Sequence, residues 1–365
     1  MIALRAVAFL AGLITVLAVL LSAIRTVVLP RGTPVALSRV LFVVVLKIFD
    51  IRVRMAHTYL QRDRVMALYS PVVLVLLPGM WVTIVVAGFS AMFWGVGFGS
   101  LRDSVVLSGS SITTLGFAAP ADGSAAALAV TEAVIGLGLV ALLISYLPSI
   151  YASFQRRELQ VAMLEVRAGD PPSVIIMIVR HHRIGNLERS EALFSTFEEW
   201  FADIEETHTS QPSLVFFRSP VPSRSWITAA GAVLDGAALM VSTVDLQRDS
   251  PEAQLCLRAG YLSLRRIADF FAIPHDPDPV AGDPISIGRD EFDHACDELR
   301  AAGVRLVPDL DRAWNDFCGW RVNYDTVLVT LAGFTMAPYA LWSSDRSVHY
   351  RVAPLAGFGR LRRPS

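Results

Sequence analysis

Long apolar stretches, each closed by basic or turn-forming residues, set the pattern of the first 160 positions. Ala6–Ile24 is an unbroken apolar run. Its length is close to the roughly 20 residues that carry a helix across a bilayer. A cleaved signal peptide competes with that reading. The run is longer than an h-region, no A-x-A site follows, and Arg25 leads into Leu29-Pro30-Arg31-Gly32-Thr33-Pro34. A retained helix is therefore expected. Val35–Phe49 is shorter and interrupted by Arg39 and Lys47. It reads either as a second span hairpinned through Pro30–Pro34 or as a helix lying in the membrane interface, and the charges favour the interface. Arg52, Arg54, Arg62 and Arg64 follow and mark the cytoplasmic side by the positive-inside rule.

Pro71–Trp94 is the next expected span, running outward, with Pro78 and Gly79 inside it and Trp81, Phe93 and Trp94 as interface anchors. Ala125–Pro148 returns inward and is apolar except for Glu132. Between them lies an outward-facing segment with a helix-sized piece, Ser100–Ile112, and a small, polar, glycine-bearing stretch, Ser108–Pro120. Gln155, Arg156, Arg157 and Glu158 close the last span, which places the second half in the cytoplasm.

From Arg156 the composition becomes that of a soluble domain. Gly169-Asp170-Pro171-Pro172 ends the helix continuing from the last span. Leu193, Phe197, Trp200, Phe201 and Ile204 recur at helical spacing within Ile184–Thr207. Looser patterns predict helices over Trp226–Val244, Glu252–Phe271, Arg289–Ala302 and Asp309–Asp325, and the acidic Gly288–Glu298 reads as a solvated helix face. Ser213–Phe217 is the best strand candidate. Val327–Trp342 is apolar but broken by Gly333 and Pro338, so a core helix is expected rather than a fourth crossing. The arginine-rich tail after Leu355 suits a cytoplasmic end.

Composition agrees with a membrane part joined to one soluble domain. Of 365 residues, 53% are hydrophobic and 18% charged. Soluble domains usually carry more charge, roughly 25%. A net charge of -1 makes no case for a nucleic-acid partner. Cys256, Cys296 and Cys318 have no CxxC spacing, so three buried thiols are expected rather than a disulfide framework or zinc site. Glu205 and His208 share a helix face that His181, His182 and Asp235 could join, but a metal bundle needs the ExxH motif twice, so a hydrated helix end is expected. No arginine recurs at every third position of a span, no GxGxxG is present, and no catalytic constellation emerges, so no enzyme and no cofactor are expected.

Thr113-Thr114-Leu115-Gly116-Phe117, set between two spans of the right sidedness, resembles the TVGYG-type selectivity filter of the bacterial pore-loop potassium channels. The resemblance covers roughly residues 71–157. It implies an α-helical membrane protein whose pore-loop domain (outer helix, pore helix, filter, inner helix) carries a mostly α cytoplasmic domain. The divisions are an N-terminal helix over 1–30, a basic segment over 31–69, a pore domain over 70–154 and a helical domain over 155–365. It further implies a potassium-type cation channel in the plasma membrane, assembled as a homotetramer in the lipid bilayer, with potassium as permeant ion. Thr113, Thr114, Leu115, Gly116, Phe117 and Ala118 would form the filter. The pore helix would turn its negative C-terminal end toward the cavity. Gly136, Gly138 and Pro148 are the implied gating hinges, and Ser110 and Glu132 would stand behind the filter. Glu132 has an alternative as a side chain reaching for the headgroups.

The sequence departs from the family where the second filter glycine is Ala118, the following aspartate is Ala119, the tyrosine is Phe117 and a buried acid of some relatives is Ser110. Ala118 would be strained at a position calling for φ > 0. Two alternatives stay open: a less selective monovalent cation channel, and a membrane-anchored sensor whose pore loop has degenerated. The partner of the cytoplasmic domain is not named by any motif.

Overall fold

The computed structural model describes residues 2–27, 36–185, 187, 190–246 and 250–347. The expected hairpin at Pro30–Pro34 and the tail after Leu355 lie outside them. Every regular element among the described residues is helical. They divide into two compact units, Met1–Ala56 with Val65–Ala152, and His57–Arg64 with the chain from Ser153 onward.

The first unit holds α1 (Ile2–Val27), α2 (Ala36–Arg54), α4 (Tyr69–Val96), α5 (Leu101–Ile112) and the first part of α6 (Gly123–Ala168), while α3 (Tyr59–Ala67) bridges the boundary in sequence. Three helices are long and apolar enough to cross a membrane: α1, the helical stretch that contains α4, and α6. α2 carries Arg39, Lys47, Asp50, Arg52 and Arg54 and is not among them. It rests on α4 and α1, burying Val45 and Leu46 while Val40, Val44 and Ile48 are exposed.

α1 lies along α4 at backbone contact. A Cβ on Gly12 would fall 2.3 Å from the Gly88 carbonyl oxygen, and one on Gly88 2.7 Å from Val16 Cγ2. Small residues at such crossings let membrane helices approach closely, where packing rather than water exclusion drives association. Val16, Val19, Ala23, Leu77, Trp81, Val85, Phe89 and Phe93 form the core that results. Trp81 and Phe93 are buried in it and do not serve as the interface anchors expected for them.

The second unit is a helical bundle around α9 (Trp226–Ser242), which is buried on nearly every side. Its run of alanines and glycines permits this. A helix apolar all round belongs in a core. The small side chains let α7 (Val174–Arg183), α10 (Pro251–Phe270), α12 (Leu310–Arg321) and α13 (Asp325–Phe334) close in from different directions. α8 (Glu191–Ser210) packs on α10, and α11 (Arg289–Ala301) on α7. The apolar Val327–Trp342 stretch forms only the short α13 before the chain turns.

Ser213–Phe217, expected as a strand, belongs instead to a 3-10 turn over Pro212–Phe216. Pro212 sits in the first turn, where its missing N–H costs nothing. No neighbouring strand offers a ladder; one isolated bridge, Val244 with Leu306, is the only β pairing among the described residues. Cys256 and Cys296 are buried as expected, whereas Cys318 is only half-buried.

Candidate functional site

α5 is a short helix with well-defined ends. Ser100 caps it by accepting from the Asp103 amide, and Asp103 Oδ2 accepts in return from the Ser100 amide at 2.9 Å, the reciprocal arrangement of a capping box. Its other end ties down the loop that follows. The last carbonyls of a helix lack intrahelical partners, and here the loop supplies them. Gly109 O accepts from the Thr113 hydroxyl at 2.6 Å, and Ser111 O accepts from the Thr114 amide at 2.9 Å. Ser110 O accepts from both the Leu115 and Gly116 amides, at 3.2 and 3.3 Å. The Ser110 hydroxyl takes a third amide, that of Ala118, at 3.0 Å.

Backbone conformation decides what this does to the carbonyls. Thr113 has φ -81°, Thr114 +56° and Gly116 +68°, with Leu115 outside the left-handed region. A right-handed residue followed by a left-handed one, as Thr113 is by Thr114, turns successive N–H groups to one side, as in a nest. With the Leu115 and Gly116 amides on Ser110 O, the N–H groups of this turn lie on the α5 side. Thr113 to Phe117 are exposed in the single chain. A β-branched residue in the left-handed region is an outlier costing about 1–2 kcal/mol, so Thr114 marks a loop held in shape by its surroundings. Gly116 carries no such penalty.

Ala118 departs from the expectation. It does not take a positive φ, and its amide is engaged by Ser110, so the anticipated strain does not arise there. The loop leaves the alternating pattern one residue after Phe117. Phe117 itself is exposed.

Glu132 is fully buried, which removes the alternative of a side chain reaching for the headgroups. Its Oε1 lies 2.5 Å from the Ser108 hydroxyl, and its Oε2 has no hydrogen-bonding partner among the described residues. One turn further along, a Cβ on Gly136 would fall 2.4 Å from the Ile112 carbonyl oxygen. From Ser108 to Ile112 and from Glu132 to Gly136 the contact advances together along both helices, so α5 and α6 run parallel where they meet. Gly138 differs: nothing lies within 4 Å of its absent Cβ. Pro148 lies inside α6, which continues through it to Ala168. Gly136 is thus a contact glycine, and Gly138 and Pro148 sit in an unbroken helix.

In the second unit His208 is buried, not at the hydrated helix end expected for it. Its ring packs on Trp226 and lies 3.3 Å from Arg157, whose guanidinium also donates to the carbonyls of Leu214 and Phe217 and pairs with Glu158. Burial, reinforced by the Arg157 charge, pushes the His208 pKa well below the ordinary histidine value. Glu205 instead pairs with Arg266, and Asp235 accepts from Arg321 and Tyr324. Sequence reasoning missed both buried arginines. Nothing in the run Gln155–Glu158 distinguishes the buried Arg157 from the exposed Arg156.

No family model, no curated protein and no solved structure matches the chain.

Proposed function

We propose that the chain is the subunit of a potassium-type cation channel, and that Thr114, Leu115, Gly116 and Phe117 line its conducting path as a homotetramer in the plasma membrane. The observation that carries this reading is the positive φ at Thr114 and Gly116, with the Leu115, Gly116 and Ala118 amides gathered on Ser110, an arrangement that leaves the loop carbonyls free to face an ion. Rings of backbone carbonyls replacing a hydration shell are the means by which potassium filters work. Irregular backbone at membrane depth is tolerated only inside protein or along a wet cavity, and this loop stands between two helices of membrane-crossing length.

One chain supplies one loop, and four are needed to ring an ion. α6 supports the same reading. Its buried positions in the membrane stretch are confined to Ala125, Glu132, Gly136, Leu139, Tyr146 and Ile150, while Val130, Val134, Leu137, Val140 and Ile144 are exposed. Further copies and lipid would cover those faces. Arg52 and Arg54, exposed at the end of α2, support a cytoplasmic side for that end of the first unit by the positive-inside rule. Arg157, being buried against protein carbonyls, contributes nothing to that vote. Opening would work through α6, which runs from the membrane stretch into the second unit.

A less selective monovalent cation channel is the second reading. It is favoured by Ala118, where the alternating backbone stops. Reconstitution of the full chain into liposomes tests the proposal. Potassium efflux from a species of four subunits is expected, and the potassium-to-sodium ratio separates the two readings. No cation flux from a confirmed tetramer, across a range of pH and ligand conditions, contradicts both.

A further inference from the structure

Ser108 stands within hydrogen-bonding distance of two oxygens on two other helices. Its Oγ is 3.1 Å from the Val86 carbonyl of α4 and 2.5 Å from Glu132 Oε1 of α6. A hydroxyl has one hydrogen and accepts through its lone pairs; a backbone carbonyl only accepts, and a carboxylate only accepts. With Glu132 ionised, the single Ser108 hydrogen would serve one of the two oxygens and leave the other facing a lone pair. With Glu132 carrying its proton, both contacts of Ser108 Oγ become hydrogen bonds: the Glu132 O–H donates to Ser108 Oγ, and the Ser108 O–H donates to Val86 O, which also accepts the Ser90 hydroxyl at 2.6 Å.

The surroundings favour the second count. No salt bridge reaches Glu132 among the described residues, and α4 carries no acidic, basic or histidine side chain. The only charged side chains of α5 are Arg102 and Asp103, exposed in its first turn, where Asp103 is engaged by Ser100. On α6 the next acid is Glu158, in the second unit. A charged carboxylate with one oxygen unpartnered is far more costly to bury than a neutral acid in the same place.

We propose that Glu132 is a positioning residue for the 113–117 loop. As a neutral acid it completes a relay, Glu132 to Ser108 to Val86, that fixes α6, α5 and α4 in one register. Ser108 lies two residues before Ser110, which gathers the loop amides, so the relay sets where those amides are held. The proposal rests on the channel reading for its consequence but not for its chemistry.

The test separates the two. Infrared difference spectra of the full-length protein in lipid vesicles at pH 7, wild type against Glu132→Gln, are expected to show one protonated-carboxyl carbonyl band that the variant lacks. In Ser108→Ala the band should persist and move to higher wavenumber as its hydrogen bond is lost. Glutamine can donate to Ser108 as the acid does, so Glu132→Gln should keep the potassium-to-sodium ratio within about 2-fold of wild type. Glu132→Ala and Ser108→Ala should change it by more. Absence of the band at pH 7, or a Glu132→Gln variant as altered as Glu132→Ala, overturns the proposal. The infrared readout needs no conduction, so a protein that passes no ions but shows the band would contradict the channel and leave the relay standing.

Discussion

In the C-terminal unit the guanidinium of Arg321 is wholly buried, and it meets the carboxylates of Asp235 and Asp325 and the carbonyl of Trp342. In the N-terminal unit Glu132 is equally buried and meets a single hydroxyl. Burial works against the Arg321 charge, but Asp235 and Asp325 outweigh it and hold the guanidinium protonated above its usual value. Arg321 is thus neutralised by opposite charge, the arrangement of a helical bundle with ionisable residues to spare. Glu132 has no opposite charge to call on in an apolar layer. The difference explains why losing a partner should be costly in one unit and subtle in the other.

Removing Arg321 gives the largest expected effect. Arg321→Met leaves two buried carboxylates facing each other and should cost about 3–5 kcal/mol, read as a fall in the unfolding midpoint of the full chain in detergent. A loss below about 1 kcal/mol would erase the contrast between the units.

Next come the glycines of α6. Gly136→Val drives side-chain atoms into the Ile112 carbonyl and should destabilise the α5–α6 contact by about 1–3 kcal/mol. Gly138→Ala meets nothing and should be neutral or slightly stabilising, by up to about 1 kcal/mol. Thermal unfolding of the pair checks this; equal effects would contradict the placement of Gly136 against α5.

Ser110→Ala removes the hydroxyl that holds the Ala118 amide, a loss of about 1 kcal/mol. Its signature is faster hydrogen exchange at Ala118 with little change at Leu115 and Gly116, whose amides use the backbone carbonyl of Ser110.

The smallest effect concerns pH. His208 is neutral in the fold with its pKa depressed, so the unfolded chain binds the extra proton. Its contribution to stability is present above the unfolded value near 6.5 and is lost as pH falls below it. Over the first pH unit below about 6.5 the second unit should lose about 1 kcal/mol, and His208→Gln should flatten that slope. A slope unchanged in the variant would assign the acid sensitivity elsewhere.

Much of the first unit is legible in the sequence because the length and apolarity that a bilayer crossing demands can be read directly from a string. The expected spans Ala6–Ile24, Pro71–Trp94 and Ala125–Pro148 fall within helices, and Ser100 caps α5 at the start of the expected Ser100–Ile112 segment. Partners are another matter. Trp81 and Phe93 have the composition of interface anchors, and a string does not record that they will be buried in the packed core. Gly136 and Gly138 look alike in a string; one abuts a carbonyl and the other faces open space. Arg157, Arg321 and His208 carry no mark of burial either, since a sequence records charge and not the carbonyls or carboxylates that will surround it. Ser110 drew attention only as the site of a missing acid, whereas its backbone oxygen and hydroxyl hold three loop amides.

The central claim is that the alternating backbone around Thr114 presents oxygens to a permeating cation. Reversal potentials across bilayers holding the reconstituted protein, with potassium on one side and sodium on the other, test it most directly when wild type is compared with Thr114→Ala. Loss of the Thr114 hydroxyl and of the constraint at its left-handed backbone should change the potassium-to-sodium permeability ratio while conduction persists. A ratio identical in the two proteins would contradict the assignment of Thr114 to the conducting path.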